Sequence, residues 1–377
     1  MSGNAPLVLM AAGGTGGHVF PAEAMAAELM SRGVRVALVT DRRIGELKGG
    51  LGAVETHRIR AGGLAGKSLA QRLRNVPELA VGFFQARGLL ARLAPAAVIG
   101  FGGYASVPTM MAATLGGHRT AIHEQNAILG RANRLLASRV GRIATSFEHC
   151  LGIPAEARGN VVHTGMPVRA AVAAIGERPF PTVERGQSIS ILVLGGSQGA
   201  RVLSDVVPVA IGRLDAATRG RFAVQQQCRP EDLERVRRAY ADIGMDADLA
   251  PFFADVPERL ARTHLLVCRS GASTVAEATA AGRPAILIPY PHAIDDHQSA
   301  NAKATADAGA AWLMPEPAFT PDALADRLKS LAERPSTLDV AAACARAAGR
   351  PDAARRLADA VCAMIPNGGR DSGKAAA

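Results

Sequence analysis

The sequence predicts an α/β protein made of two parallel-sheet domains. Short apolar runs alternate with helical stretches along the chain, the pattern that builds strand–helix–strand units. That alternation restarts near Ser188. At 377 residues the chain also exceeds one ordinary core, so two domains are expected.

The first apolar run, residues 7–12, reads as a buried strand. Residues 21–31 read as a helix that Pro21 opens, since proline suits a first helical turn, and that Gly33 stops. Residues 34–40 are the next strand, and 97–100 and 120–123 are later ones. Residues 165–187 carry MPVR, RPFPTVERGQ and several prolines, and read as a linker. Residues 189–194 open the second series as an apolar strand followed by GGSQGAR and a helical stretch. Residues 264–268 then precede RSGASTVAEATAAG, and 285–289 follow as a further strand. Beyond about Ala353 the pattern is helical again, and the tail 367–377 is expected to be disordered.

Composition excludes several classes. Apolar residues make up 48% of the chain and charged residues 20%, a globular balance. Aromatics are only 4%, too few for a base-stacking surface, so no nucleic acid is expected as partner. Forty-three Lys and Arg against 33 Asp and Glu leave a charge of +10, which favours nucleotides, phosphates or an anionic membrane surface. The five cysteines, Cys150, Cys228, Cys268, Cys344 and Cys362, show no CxxC and no paired spacing. That pattern points to a reducing compartment and no zinc site. The N-terminal apolar run lacks a basic lead and is broken by glycines, so it is a strand rather than a signal peptide. No segment reaches the ~18 uninterrupted apolar residues of a spanning helix, so any membrane attachment is expected to be peripheral.

Three strand-to-helix turns are rich in glycine: GGTGGH at 13–18, GFGGY at 100–104 and GGSQG at 195–199. Glycine lets backbone approach a ligand, and amides at a helix N-terminus attract anions. Tight packing of helix on strand explains one such turn equally well. Three of them, two at the first strand of each half, point to phosphate or sugar binding. Reading a dinucleotide fingerprint from Gly14 and Gly16 puts Val19 where the third glycine belongs. AGGLAGKS at 61–68 resembles a P-loop, but Ala61 replaces its first glycine, and a flexible loop fits it better. GGSQG also fits the nucleophile elbow of serine hydrolases, with Ser197 as nucleophile and His264, His292 or His297 as base. HEQN at 123–126 begins like a zinc-protease helix but lacks the second histidine. Asp246 and Asp248 imitate a metal-binding carboxylate pair, though a solvated turn is the plainer account.

Taken together, GGTGGH, GFGGY, HEQNAILGRANR, TGMPVR, GGSQGA, CRSGASTVAE and DDHQSANA, in this order, resemble the MurG family of glycosyltransferases. The resemblance runs from Leu7 to about Ile365. It implies a GT-B glycosyltransferase fold, two Rossmann-like parallel-sheet domains facing an interdomain cleft. An acceptor- and membrane-facing domain would span 1–167, completed by a C-terminal helix at about 350–366, and a UDP-sugar-binding domain would span 168–349. It implies an inverting transfer of N-acetylglucosamine from UDP-N-acetylglucosamine to the 4-hydroxyl of undecaprenyl-pyrophosphoryl-MurNAc-pentapeptide. It implies no cofactor and no metal, and a peripheral location on the cytoplasmic side of the cell inner membrane. A UDP-sugar epimerase of the same fold is the nearest alternative.

Residue by residue, the resemblance assigns the helix opening Ala272, Ser273, Thr274, Val275, Ala276 and Glu277 to the donor's phosphates and ribose. Glu277 matches the glutamate that accepts from the ribose hydroxyls, a role a carboxylate can fill for two hydroxyls at once. Ser197 matches a phosphate-contacting hydroxyl, and Arg169 a donor-site arginine whose plainer role is an interdomain salt bridge. Phe253 stands where backbone meets the uracil edge, and Gln298 where a glutamine reads sugar hydroxyls. Thr15, Gly16 and Gly17 match residues reaching the donor, and Asn126 a sugar contact or a helix cap. His18 matches the general base, which in neutral form could take the acceptor's proton, or else it is a structural hydrogen-bonder. Finally, Leu79, Val81, Phe83 and Phe84, with Lys67, Arg72, Arg74, Arg87 and Arg92 around them, form either a membrane wedge or a helix packed on its own core.

Overall fold

The computed structural model describes residues 5–13, 16–41, 51–52, 54–61, 69–183, 186–196 and 199–365. The chain divides into two compact units. One holds Met1–Gln125, Leu129–Pro167 and Asp352–Ala377, and the other Asn126–Ile128 and Val168–Pro351.

In the first unit the elements are β1 (Leu7–Ala11), α1 (Gly16–Ser31), β2 (Arg35–Thr40), β3 (Glu55–Arg58), α2 (Leu69–Leu93), β4 (Ala97–Gly100), α3 (Ser106–Leu115), β5 (Thr120–Glu124), α4 (Arg131–Leu136), β6 (Arg142–Thr145) and β7 (Val161–His163). The second unit begins with α5 (Ala170–Gly176), β8 (Ile189–Leu194), α6 (Arg201–Gly212), α7 (Ala216–Arg219), β9 (Phe222–Gln227), α8 (Leu233–Asp242), β10 (Asp248–Ala250) and α9 (Val256–Arg262). It continues with β11 (Leu265–Cys268), α10 (Ala272–Ala280), β12 (Ala285–Leu287), α11 (His297–Asp307), β13 (Ala311–Leu313), α12 (Pro321–Glu333) and α13 (Ser336–Ala348). The helix α14 (Ala353–Cys362) belongs to the first unit.

Among the described residues the first unit contains a seven-stranded sheet in the order β3-β2-β1-β4-β5-β6-β7. The second contains a six-stranded sheet in the order β10-β9-β8-β11-β12-β13. Every pairing is parallel. In each sheet the chain runs outward from one central strand, then restarts on that strand's other side. The order therefore reverses between β1 and β4, and between β8 and β11. Such switch points open a crevice at the carboxyl ends of the strands, where ligands of this architecture bind.

The strand sequences explain the layering. LVLMA of β1 and AVIG of β4 are buried throughout, as strands covered on both faces must be. In the first sheet Leu9, Val39, Val98 and Ile122 face one layer, with Leu90 and Met110 packed on them. Met10, Leu38 and Ile99 face the other, against Met25 and Leu29 of α1 and Leu357 and Val361 of α14. α14 thus seals a face of the first sheet, and Arg32 at the end of α1 donates to Asp359 at 2.6 Å. Its heads are solvated, so the apolar contact, not the ion pair, carries the docking.

Two expectations need correction. Pro21 does not open its helix: α1 begins five residues earlier, at Gly16. Gly16 and Gly17 already have helical backbone, so α1 starts within the glycine-rich stretch. Pro21 forfeits one bond inside the helix. Residues 165–187 are also not simply a linker. Ala170–Gly176 is helix, with Val172 and Ile175 buried, because α5 packs on α9 and α10.

Truncating Leu357 to Ala should leave a cavity under α14. We expect a loss of about 2–4 kcal/mol in denaturant unfolding of the first unit. A change below about 0.5 kcal/mol would mean that α14 is not part of that core.

Candidate functional site

The glycine turns fall at the two switch points. GGTGGH follows β1 and GFGGY follows β4, the strands that flank the reversal in the first sheet. In the second sheet GGSQG follows β8 and the turn Arg269–Gly271 follows β11, again the flanking pair. Thr15 and Ser197 lie outside the described residues, as do residues 62–68 of the P-loop-like stretch and the tail 366–377.

His18 sits in the first turns of α1 and is half-buried. Its ring lies along the backbone of Gly102 and Gly103: a Cβ built on Gly103 would stand 3.4 Å from His18 Cδ2. Both glycines have left-handed φ, +82° and +73°, and the lack of a side chain lets their backbone approach the ring. Gly16 and Gly17 precede His18 within the same first turn.

Beside this lies a buried polar layer formed by the HEQNAILGRANR stretch. His123 of β5 is fully buried; its Nε2 donates to Gly165 O at 3.1 Å. Gln125 Nε2 donates to Phe101 O at 2.8 Å and approaches His123 Nδ1 at 3.2 Å. Burial pushes the His123 pKa down to about 4, and the nearby His18 pushes the same way. Glu124, also buried, accepts from Gly130 N at 2.9 Å and Asn133 Nδ2 at 2.8 Å. HEQN therefore ends a strand and anchors the start of α4 rather than forming a metal-binding helix.

In the second unit α10 begins at Ala272 after Gly271, which has no side chain to cap it. The first amides of Ala272, Ser273 and Thr274 thus point outward at the carboxyl end of β11, an anion-binding arrangement. Glu277 lies five residues on, about 7.5 Å along the helix axis. Arg169, just before α5, donates to it from Nε at 2.9 Å and from Nη2 at 3.0 Å. Arg169 is thus not an interdomain link: its partner is in its own unit.

Gln298, in the first turn of α11, accepts from Tyr290 N at 3.0 Å, while its carbonyl accepts from Ser270 Oγ at 2.8 Å. Asn301, one turn later, is fully buried. Its Oδ1 accepts from Ala127 N at 2.8 Å, and its Nδ2 donates to Asn126 Oδ1 and to Ser270 O, each at 3.1 Å. Asn301 thus holds Asn126 beside the turn that opens α10. It lies inside DDHQSANA, but nothing in that run marks it as the buried member. Asp295 and Asp296 precede α11 with left-handed φ of 54° and 52°. Phe253 is 3% exposed with the Arg259 guanidinium 3.8 Å over its ring, so its side chain is taken up by packing.

The rival motifs fare differently. His264 opens β11 and accepts from Ser190 N at 2.8 Å, at the amino end of β8. The GGSQG turn is at the opposite end of that strand, so His264 cannot serve a nucleophile there. His297 Nδ1 is engaged by Ile294 O at 2.7 Å. Asp248 is bound by Arg259, which also holds Asp255. Among the described residues no three His, Cys, Asp or Glu side chains are grouped to hold a metal ion.

Comparison with known proteins agrees with this layout. The glycosyltransferase family 28 N-terminal domain matches residues 8–145, and its C-terminal domain matches residues 190–357. The UDP-N-acetylglucosamine--N-acetylmuramyl-(pentapeptide) pyrophosphoryl-undecaprenol N-acetylglucosamine transferase of Paramagnetospirillum magneticum is 59% identical, covering 97% of this chain and 99% of that one. The crystal structure of Acinetobacter baumannii MurG is 30% identical with a TM-score of 0.76, covering 96% of this chain and all of that one. A UDP-N-acetylglucosamine 2-epimerase structure from Listeria monocytogenes has a TM-score of 0.68 over 98% of each chain, but at 14% identity it shares only the fold.

The buried His123 makes stability pH-dependent. Its folded pKa lies below the ordinary 6.5, so the unfolded chain binds the extra proton between the two values. Stability should therefore fall on acidification from about pH 6.5 toward 4, by up to about 1.4 kcal/mol per pH unit. A His123→Gln variant should lose that part of the slope in thermal melts; an unchanged slope would exclude His123 as its source.

Proposed function

Because the chain belongs to glycosyltransferase family 28, in its MurG branch, we propose that it converts lipid I to lipid II in peptidoglycan synthesis. It moves N-acetylglucosamine from UDP-N-acetylglucosamine to the 4-hydroxyl of the lipid-linked N-acetylmuramyl-pentapeptide. The observation that carries this is the family match across both units, each with glycine turns at its switch point. The epimerase alternative is not favoured, since its solved examples share the fold alone.

The donor belongs to the second unit in this reading. The diphosphate meets the amides of Ala272–Thr274, and Ser197 and Arg169 supply further phosphate contacts. Ala276 lies on the same opening turn, whose Val275 is buried behind it, Glu277 accepts from the ribose diol, and Phe253 offers backbone to the uracil edge. Asn126 and Gln298, both held at the start of α11 and α10, read the sugar hydroxyls. Thr15, Gly16 and Gly17 are donor contacts from the first glycine turn. As the anomeric bond breaks, charge grows on the departing UDP, and fixed amide dipoles stabilise it in place.

His18 takes the proton of the acceptor hydroxyl while that oxygen attacks the anomeric carbon on the face opposite UDP. Inversion follows from this single displacement. The close approach of the Gly102 and Gly103 backbone supports the reading, because it holds the His18 ring in place.

The acceptor is anchored in a bilayer, so the chain works peripherally at the cytoplasmic face of the inner membrane. No helix among the described residues is long and apolar enough to cross a membrane. In α2, Phe84 is 69% and Val81 38% exposed, and Arg87 and Arg92 are exposed on the same helix. Leu79 and Phe83 are only half-exposed, and Phe83 packs on the core. The lipid contact is therefore narrower than four residues.

Turnover of UDP-N-acetylglucosamine with a short-chain lipid-linked muramyl pentapeptide, in EDTA, tests the reaction; donor consumption without disaccharide product would overturn it. In that assay His18→Ala should lower kcat by about 10²- to 10⁴-fold. UDP affinity should stay within about threefold; near-normal turnover would remove His18 as base. Val81→Ser with Phe84→Ser should weaken sedimentation with anionic vesicles while leaving UDP binding intact. Unchanged sedimentation would defeat the α2 contact.

A further inference from the structure

Two residues proposed to grip the same donor grip each other instead. Arg169 meets Glu277 side-on, with Nε on one carboxylate oxygen and Nη2 on the other, at 2.9 and 3.0 Å. That fork takes the one lone pair on each oxygen that faces the shared edge of the carboxylate, and leaves only the outward pairs. A vicinal diol donating to both oxygens needs the same edge. Ribose and Arg169 therefore compete for Glu277.

The competition is not symmetrical among ligands. A nucleoside that takes Glu277 sends the guanidinium to water with nothing in exchange. A nucleoside diphosphate brings acceptor oxygens of its own, and a guanidinium pairs with phosphate in the same two-pronged way. The opening amides of α10 lie about 7.5 Å from Glu277 along the helix, the scale of a ribose with its phosphates. The Arg169 backbone is fixed as the N-cap of α5, but its side chain is 44% exposed, so the guanidinium can turn from carboxylate to phosphate.

We propose that Arg169 is a specificity residue: it closes the ribose-binding edge of Glu277 to unphosphorylated nucleosides and yields it to nucleoside diphosphates. The donor subsite then responds to ribose and diphosphate together rather than summing two independent contacts. This rests on the assignment of Glu277 to the ribose.

The test compares uridine and UDP binding in the intact protein, by protein-observed NMR for uridine and calorimetry for UDP. The variants are Arg169→Met, Glu277→Ala and the double replacement. A partly exposed forked ion pair contributes modestly, so Arg169→Met should bind uridine about two- to five-fold tighter than the unaltered protein. The same variant should bind UDP at least about ten-fold more weakly, having lost a charged phosphate contact. Uridine binding that is equal, weaker or undetectable in Arg169→Met overturns the proposal. Glu277→Ala separates the two levels of inference. If it leaves UDP affinity unchanged, the ribose assignment itself fails. If it weakens UDP while Arg169→Met gains nothing for uridine, only the competition fails. A matching thermal midpoint for Arg169→Met confirms that the comparison is between folded proteins.

Discussion

In a parallel strand–helix unit, every helix that follows a strand presents its unbonded N–H groups at one edge of the sheet. The rest of this protein's chemistry depends on that constraint. Strands β1, β4, β8 and β11 each end in a turn that leads to such a helix start or to a glycine-rich bend beside it. Because the strand order reverses at β1/β4 and β8/β11, neighbouring turns diverge and leave room for a ligand. Donors are therefore in place before any side chain is considered. An anionic leaving group suits them, since fixed dipoles need no reorganisation when charge develops.

Side chains refine this edge by holding one another. Asn301 spends both ends of its amide on fixing Asn126, Ala127 and Ser270. Gln298 is tied to Tyr290 and Ser270. Gln125 braces the Phe101 carbonyl, and so the turn beside the His18 ring, while His123 is fixed to the Gly165 carbonyl. The bonds of Asn301, His123 and Gln125 are buried or part-buried, and such partners are costly to leave unmade. Arg169 and Glu277 differ in kind. Their pair is partly solvated and weaker, which suits residues that exchange partners rather than frame a site.

The strands and the glycine turns were legible because their signals are local. Apolar runs at 7–11, 97–100 and 189–194 stand out by themselves, and so do clustered glycines. The start of α1 was misplaced because Pro21 sends a strong local message that the preceding glycines overrode. The helix α5 was hidden among prolines, and only contact with α9 and α10 makes AAVAAIG a packed element. Asn301 escaped notice because burial, not residue type, sets it apart from other asparagines.

The order of residues alone was enough for two parallel sheets, for glycine turns at the heads of their strands, and for a basic chain suited to phosphates. Period and glycine content act within a few residues, so no folding is needed to see them. The pairing of Arg169 with Glu277, 108 positions apart, and the contacts that seat α14 came only from folding, although resemblance had already put the last helix with the first domain. Contacts between distant segments are chosen by shape and burial once layers stack, and no local pattern encodes which remote partner will fill a given edge.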